Sequence, residues 1–284
     1  MKKINVILGA LFALFILSCS SDNNNDDNDL TISEEIKDLI YFNGNEKANT
    51  VVINIQSGSD IELVADEVDF LRQNLIDTNS LLVTVHQAQT LNPTLVDGDD
   101  ISLNEATAIN IETVDILSRV ITYFKEQGRT VHIFGESFGA FVTQELIAEK
   151  GMNIADNYLI MIGRLDMNDV IWQGLLERRY GYFENGITPI LEDEVAVDNI
   201  ERNLVMLAAE FASNKYTQKL NQFQDLSKIT YIYGKADEAV GRLTESEVQF
   251  LASRNANIIV GEGNHDETLN QFIFQGFEEA FGIE

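Results

Sequence analysis

The chain has 284 residues, enough for one large domain or two small ones, and its proportions of hydrophobic (45%) and charged (23%) residues are those of a globular protein. With 19 basic and 46 acidic residues, its formal net charge is −27. This excess of negative charge argues against nucleic acid and anionic membrane surfaces as partners, and we interpret it as a solvated acidic surface.

The N-terminal segment has the composition of a targeting signal. Lys2 and Lys3 precede an almost wholly apolar run, residues 4–17, which is short for a membrane span and suits the core of a signal peptide. The run is followed by Cys19, the only cysteine of the chain, and then by serine, asparagine and aspartate over residues 20–27. This arrangement resembles a bacterial lipoprotein signal, in which the cysteine becomes the lipidated N-terminus.

The resemblance implies a signal peptide over residues 1–18, lipidation at Cys19 and a flexible acidic tether over residues 19–30. It also implies a cell-envelope protein that is held to a bacterial membrane by its lipid alone, in the periplasm or at the surface. An incidental cysteine in a signal peptide that is cleaved elsewhere is the alternative. A single cysteine allows neither an intramolecular disulfide nor a cysteine-based zinc site.

After the tether, β-rich apolar runs alternate with helical patterns. Strands are predicted at residues 39–42, 51–55, 81–85, 131–134, 158–162, 229–233 and 258–260. Helices are predicted around residues 64–75, 114–124, 137–150 and 269–277, and from a capping box at 244–247. This alternation predicts an α/β fold with a doubly wound, mostly parallel sheet.

The alternation stops between about residues 166 and 225. No clear strand is visible there, and helix-like stretches predict a helical lid inserted into a single domain over residues 31–284. The only two prolines, Pro93 and Pro189, form no linker between domains.

Aromatic and basic residues cluster within this insertion: Trp172, Arg178, Arg179, Tyr180, Tyr182 and Phe183. We expect the aromatic side chains to pack the lid onto the body of the domain. The alternative is a pocket for an apolar acyl or aromatic group, with an arginine that reaches an anionic group of the substrate.

A G-x-S-x-G pattern lies between a predicted strand and a predicted helix. It runs from Gly135 to Gly139, with Ser137 at its centre. In this context it resembles the nucleophile elbow of the α/β hydrolases, where the flanking glycines prevent clashes and the helix N-terminus favours a developing negative charge. The resemblance implies that Ser137 is a nucleophile. A serine that only caps the helix is the alternative.

A serine hydroxyl needs a base at neutral pH, and the chain has three histidines. His265 follows the predicted strand 258–260 and precedes the last helix, in the loop where α/β hydrolases carry their catalytic histidine. His132 lies inside a strand, where we expect a packed core residue. His86 ends a strand, and we expect it to have a local role in the loop, with pocket lining as the alternative.

The base in turn needs a carboxylate that fixes its tautomer. Asp237 follows the strand 229–233 in a G-x-x-D segment like that of the α/β hydrolases, and the order Ser137, Asp237, His265 is the order of that family. Asp166 and the adjacent Glu238 are the alternative carboxylates. Asp266 adjoins His265, and we expect it not to reach the ring.

The resemblance covers roughly residues 36–284 and implies an oxyanion hole made of backbone N–H groups. Phe138 supplies the first. The loop 56–60 resembles the family's oxyanion loop, with Gln and Ser in place of the usual His and Gly, and Ser59 is the expected second donor, ahead of Gly58.

Together these residues predict a serine hydrolase that cleaves a carboxylic ester, of a small molecule or a glycan, through an acyl-enzyme. The alternatives are a peptidase or amidase with the same triad, and an exported protein that binds a nutrient or partner without turnover. No phosphate-binding loop or metal-ligand pattern is visible, so we expect neither a cofactor nor a metal. The oligomeric state stays open.

Overall fold

The computed structural model describes residues 30–77 and 79–284. The predicted signal peptide, Cys19 and the tether up to residue 29 lie outside the described residues. In the part of the chain that is described, no helix has the length and apolar character needed to cross a membrane.

A seven-stranded sheet forms the centre of the molecule, with the order β1-β3-β2-β4-β5-β8-β9. In chain order the nine strands of the described residues are β1 Ile40–Gly44, β2 Thr50–Ile55, β3 Ser80–Val85, β4 Thr130–Glu136, β5 Asn157–Met161, β6 Arg179–Glu184, β7 Thr188–Val195, β8 Ile229–Gly234 and β9 Asn257–Gly261. The edge strand β1 pairs antiparallel with β3, and every other pair in this sheet is parallel. The prediction of a mostly parallel sheet is confirmed.

Helices cover both faces of this sheet. They are α1 Glu34–Lys37, α2 Asp66–Asn74, α3 Ala88–Leu91, α4 Leu103–Glu126, α5 Phe138–Lys150, α6 Asp169–Leu176, α7 Asn199–Ser213, α8 Tyr216–Lys219, α9 Glu245–Ala252 and α10 His265–Phe281, with short 3₁₀ turns at Pro93–Leu95 and Leu220–Gln222.

Two hydrophobic clusters show why the strands read as continuous apolar runs. In β2, Val51, Ile53 and Ile55 point into the larger cluster, which also holds the buried residues of α4 and α5. Val52 points the other way, into a smaller cluster with buried residues of α2 and α10. Because both faces are covered, both sets of alternating side chains are mostly apolar.

The predicted helical lid contains a two-stranded hairpin, β6 and β7, as well as helices α6 and α7. The prediction that residues 166–225 lack strands was therefore wrong. The signal that it overlooked is the dipeptide Asn185-Gly186, whose residues have φ of 53° and 69°. Two consecutive positive φ angles are typical of the tight turn that joins hairpin strands, and asparagine followed by glycine favours it.

The hairpin packs on α6 and also on the loop between β8 and α9. Leu191 of β7 lies against Gly174 of α6. The N–H of Phe183 donates to the carbonyl of Glu238 at 2.7 Å, and the N–H of Arg242 donates to the carbonyl of Gly186 at 2.9 Å. The insertion is thus hydrogen-bonded to the β8–α9 loop.

Candidate active site

The turn from β4 into α5 holds Ser137 in a strained backbone conformation, with φ 51° and ψ −116°. Its N–H donates to the carbonyl of Met161 at 3.1 Å. A positive φ is uncommon for a residue other than glycine and marks stored strain. The prediction of a sharp strand-to-helix turn at Ser137 is confirmed.

The two glycines of the motif are required for steric reasons. A Cβ on Gly135 would lie 2.1 Å from Oγ1 of Thr143 and 2.4 Å from the carbonyl oxygen of Gly139. A Cβ on Gly139 would lie 2.3 Å from the carbonyl oxygen of Ile55. Side chains at either position would force the helix away from the sheet, and with it the serine.

The structure brings the side chains of Ser137, His265 and Asp237 together. Nε2 of His265 lies 3.0 Å from Oγ of Ser137, and Nδ1 lies 2.8 Å from Oδ2 of Asp237. The three residues follow β4, β9 and β8, whose carboxyl ends lie at one edge of the parallel sheet. Ring, hydroxyl and carboxylate form one continuous hydrogen-bonded path.

Asp237 is almost fully buried, with 1% of its surface exposed. Its second oxygen, Oδ1, accepts the backbone N–H groups of Ala239 and Val240, each at 3.0 Å. Three hydrogen bonds therefore fix the carboxylate plane, so that Oδ2 can only point at the histidine.

The alternative carboxylates do not reach the ring of His265. Glu238 accepts the backbone N–H of His265 at 3.2 Å instead. Asp166 accepts the backbone N–H and the hydroxyl of Thr217, at 3.0 and 2.5 Å. Among the described residues, no group of three or more His, Cys, Asp and Glu side chains is arranged to hold a metal ion.

The other two histidines lie in local environments of their own. His132 is 4% exposed and stacks on Phe281 at 4.7 Å between ring centres; burial lowers the pKa of His132 to about 4. Nδ1 of His86 lies 2.9 Å from the hydroxyl of Thr90, and half-burial lowers the pKa of His86. Neither histidine is hydrogen-bonded to Ser137.

The predicted oxyanion donors are arranged around the loop that follows β2. The N–H of Phe138 donates to the carbonyl of Ser57 at 3.1 Å, so it is already hydrogen-bonded. The hydroxyl of Ser59 donates to the carbonyl of Leu204 in α7 at 3.3 Å. The carbonyl of Gly58 accepts from side-chain amides.

Two glutamates beside this loop were missed in the sequence. Glu67 accepts the N–H and hydroxyl of Ser57. Glu136 precedes Ser137 and is 7% exposed; burial, together with the charges of Glu67 and Asp266, raises the pKa of Glu136 to about 8. Glu136 could have been noticed as a carboxyl that follows a buried strand, whereas no pattern distinguishes Glu67.

A cavity of about 660 Å³ lies between the oxyanion loop and the lid. Ser59 and Ile61 line one side, and Leu175, Tyr180 and Leu204 line the other. The volume falls within the range of small-molecule sites, but Ser137, Asp237 and His265 are not among the residues that line the cavity.

The aromatic side chains of the lid have two kinds of surroundings: some are buried in the protein, and others line the cavity. Phe183 is buried beneath the guanidinium of Arg164 at 5.3 Å, whereas Tyr180 lines the cavity. Arg178 donates to the carbonyl of Ile101, and Arg179 to that of Glu192. Both lid arginines are thus engaged within the protein.

Comparison with solved structures identifies the architecture. A carboxyl esterase from Bacillus coagulans superposes with a TM-score of 0.55 at 11% identity, covering 86% of this chain and 93% of that one. An α/β-hydrolase enzyme from a Medee basin deep-sea metagenome library gives 0.53 at 12%, covering 86% and 93%. A soluble variant of a monoglyceride lipase from Saccharomyces cerevisiae gives 0.52 at 9%, covering 86% and 91%.

No family model matches the sequence, and no curated protein sequence matches it either. At these identities the structural likeness defines the fold alone. The chain has the α/β-hydrolase fold, and the prediction of fold class is confirmed.

Proposed function

We propose that the protein is a serine hydrolase that cleaves a carboxylic ester through an acyl-enzyme intermediate. The observation that carries the proposal is the hydrogen-bonded path from Oγ of Ser137 through the His265 ring to Asp237, with distances of 3.0 and 2.8 Å. These are the distances at which a base takes a proton from a nucleophile and is oriented by a third group.

Each group has a defined part in the reaction. Asp237 accepts a hydrogen bond from the protonated Nδ1 of His265. The lone pair of Nε2 then faces Ser137. As Oγ of Ser137 attacks the ester carbon, His265 takes its proton and then gives it to the departing alkoxide. Water, activated by the same ring, then hydrolyses the acyl-enzyme and regenerates Ser137.

Structures that share the fold support an ester as the substrate. Known structures with this fold include a carboxyl esterase and a monoglyceride lipase. We therefore place small-molecule and glycan esters ahead of amides.

A fluorophosphonate probe tests the nucleophile. The wild-type chain without residues 1–28 should be labelled, with the label on Ser137, while Ser137→Ala should take up none and the exposed control Ser246→Ala should be labelled normally. An unlabelled but folded wild type would refute the proposal of a serine hydrolase.

In the same preparation, esters should be cleaved far faster than the matching anilides; the reverse order would favour an amidase.

We also propose that the enzyme acts in the bacterial cell envelope, held by lipid on Cys19. The support is the sequence alone: an apolar core followed by the single cysteine and a polar run. An exported full-length chain should incorporate a palmitate analogue, and Cys19→Ser should not, with Ser20→Ala as the matched control. Processing of the wild type without incorporation would contradict the anchor.

A further inference from the structure

The Ser57 carbonyl oxygen occupies the place where a serine hydrolase would bind the charged oxygen of its intermediate. It accepts the N–H of Phe138, the residue after the proposed nucleophile, at 3.1 Å. An oxygen in this place repels the carbonyl oxygen of a substrate and uses the donor that the intermediate needs. The loop therefore has to rearrange before Ser137 attacks productively.

Rotation of the single peptide group between Ser57 and Gly58 is the smallest change that removes the obstruction. A trans peptide is planar, with its C=O and N–H on opposite sides, so a turn of about 180° exchanges one for the other. The turn releases the N–H of Phe138. It also brings the N–H of Gly58 towards the same place as a second donor.

The surroundings of Gly58 permit this rotation. Apart from Gly58 and its two chain neighbours, no residue has an atom within 4 Å of the position where a Cβ on Gly58 would stand. The carbonyl of Gly58 is held by the side-chain amides of Gln56 and Gln87, at 3.1 and 3.2 Å, so the next peptide group is anchored. The rotation carries φ of residue 58 towards positive values, which glycine adopts readily and other residues do not.

Glu67 anchors the opposite end of the rotating group. Its Oε1 accepts the N–H of Ser57 at 3.2 Å and the hydroxyl of Ser57 at 2.6 Å. Its Oε2 accepts the side-chain amide of the buried Asn54 in β2 at 2.6 Å. Since the N-terminal side of Ser57 is fixed to the sheet in this way, movement is confined to the peptide that follows.

We propose that the Ser57–Gly58 peptide turns over when substrate binds, that Gly58 rather than Ser59 then supplies the second oxyanion donor, and that Glu67 is the positioning residue for this movement. The hydroxyl of Ser59 is bonded to Leu204, which keeps that residue against α7. The inference rests on the proposed hydrolase function.

Gly58→Ala tests the rotation without disturbing the resting structure, because the added methyl group has open space. We expect kcat for an ester to fall about 5- to 30-fold, the factor that matches the cost of a left-handed φ for alanine, with KM and Tm unchanged. Gly98→Ala is the matched control, since Gly98 is also exposed with open space and no positive φ. Equal kcat values in the two variants would overturn the rotation.

Variants of Glu67 separate positioning from simple stability. Glu67→Ala should lower kcat at least tenfold and weaken a trifluoromethyl ketone inhibitor by the same factor, with KM little changed. Glu67→Gln should recover most of the activity: Oδ1 of Asn54 is buried without a hydrogen-bond partner, so a flipped Asn54 amide can accept from the new NH₂ group. Equal losses of kcat in Glu67→Ala and Glu67→Gln, at unchanged Tm, would overturn the positioning role.

A crystal structure of the trifluoromethyl ketone adduct decides the matter even if a variant fails to fold. In the adduct, Oγ of Ser137 bonds to the ketone carbon, its proton passes to His265, and the ketone oxygen becomes an anion. We expect N–H groups of Phe138 and Gly58 within 3.2 Å of that oxygen. An adduct that retains the Phe138 to Ser57 hydrogen bond overturns this inference alone, whereas a wild type that forms no adduct at Ser137 overturns the proposed function as well.

Discussion

Replacing Asp237 with asparagine is expected to lower kcat for ester hydrolysis about 10⁴-fold while the protein stays folded. Oδ1 of Asp237 accepts two backbone N–H groups, so an asparagine keeps its carbonyl oxygen there and turns its NH₂ group towards Nδ1 of His265. Nδ1 then has to accept a hydrogen bond, which places the ring proton on Nε2. A protonated Nε2 cannot take the proton of Ser137.

Steady-state kinetics with a nitrophenyl ester, together with a thermal unfolding curve, checks this expectation. Asp225→Asn is the matched control, because Asp225 is exposed and also accepts a backbone N–H, from Ser227. Its kcat should equal that of the wild type. If Asp237→Asn retained activity within tenfold of the wild type, another carboxylate would have to orient His265.

Glu136→Gln is expected to stabilise the folded state at alkaline pH and to leave it nearly unchanged at pH 5. Burial raises the pKa of Glu136 to about 8, from an ordinary value of 4.5. Between these values the folded chain keeps a proton that the unfolded chain has lost, so wild-type stability falls as pH rises from about 4.5 to 8 and then levels off. Glutamine carries no such dependence, and the gain at pH 9 should be about 3–5 kcal/mol.

Urea unfolding at pH 5 and pH 9 measures the difference between the two proteins. The control is Glu126→Gln, a change at an exposed carboxyl, which should shift stability by less than about 0.5 kcal/mol at both pH values. A gain for Glu136→Gln that is the same at pH 5 and pH 9 would show that Glu136 is ionised at both.

The fold was largely predictable from the sequence because burial on both faces leaves an unmistakable pattern. All residues of β3 and all but Thr50 of β2 are buried, and most of them are apolar, which distinguishes these strands from surface segments. The hairpin β6–β7 could not be recognised in the same way. It forms a separate two-stranded sheet, and much of its surface is exposed, so its turn was the only clear signal.

The same distinction applies to the candidate site. Features that follow from the sheet were predictable, and features that depend on loop conformation were not. The convergence of Ser137, Asp237 and His265 was predictable because a parallel sheet brings the ends of β4, β8 and β9 to one edge. The hydrogen bond between Phe138 and Ser57 was not predictable. It depends on the orientation of the Ser57–Gly58 peptide, in a loop whose Ser57 is held by Glu67, ten residues further along the chain.

The contacts between the lid hairpin and the β8–α9 loop bear on how the chain could be re-engineered. Phe183 donates to Glu238, and Gly186 accepts from Arg242, on either side of the segment that presents Asp237. Deleting the insertion, or exchanging it for that of another protein with this fold, would therefore remove backbone partners from the loop that carries Asp237. An insertion that is transferred from another protein would therefore have to be accompanied by residues 235–242.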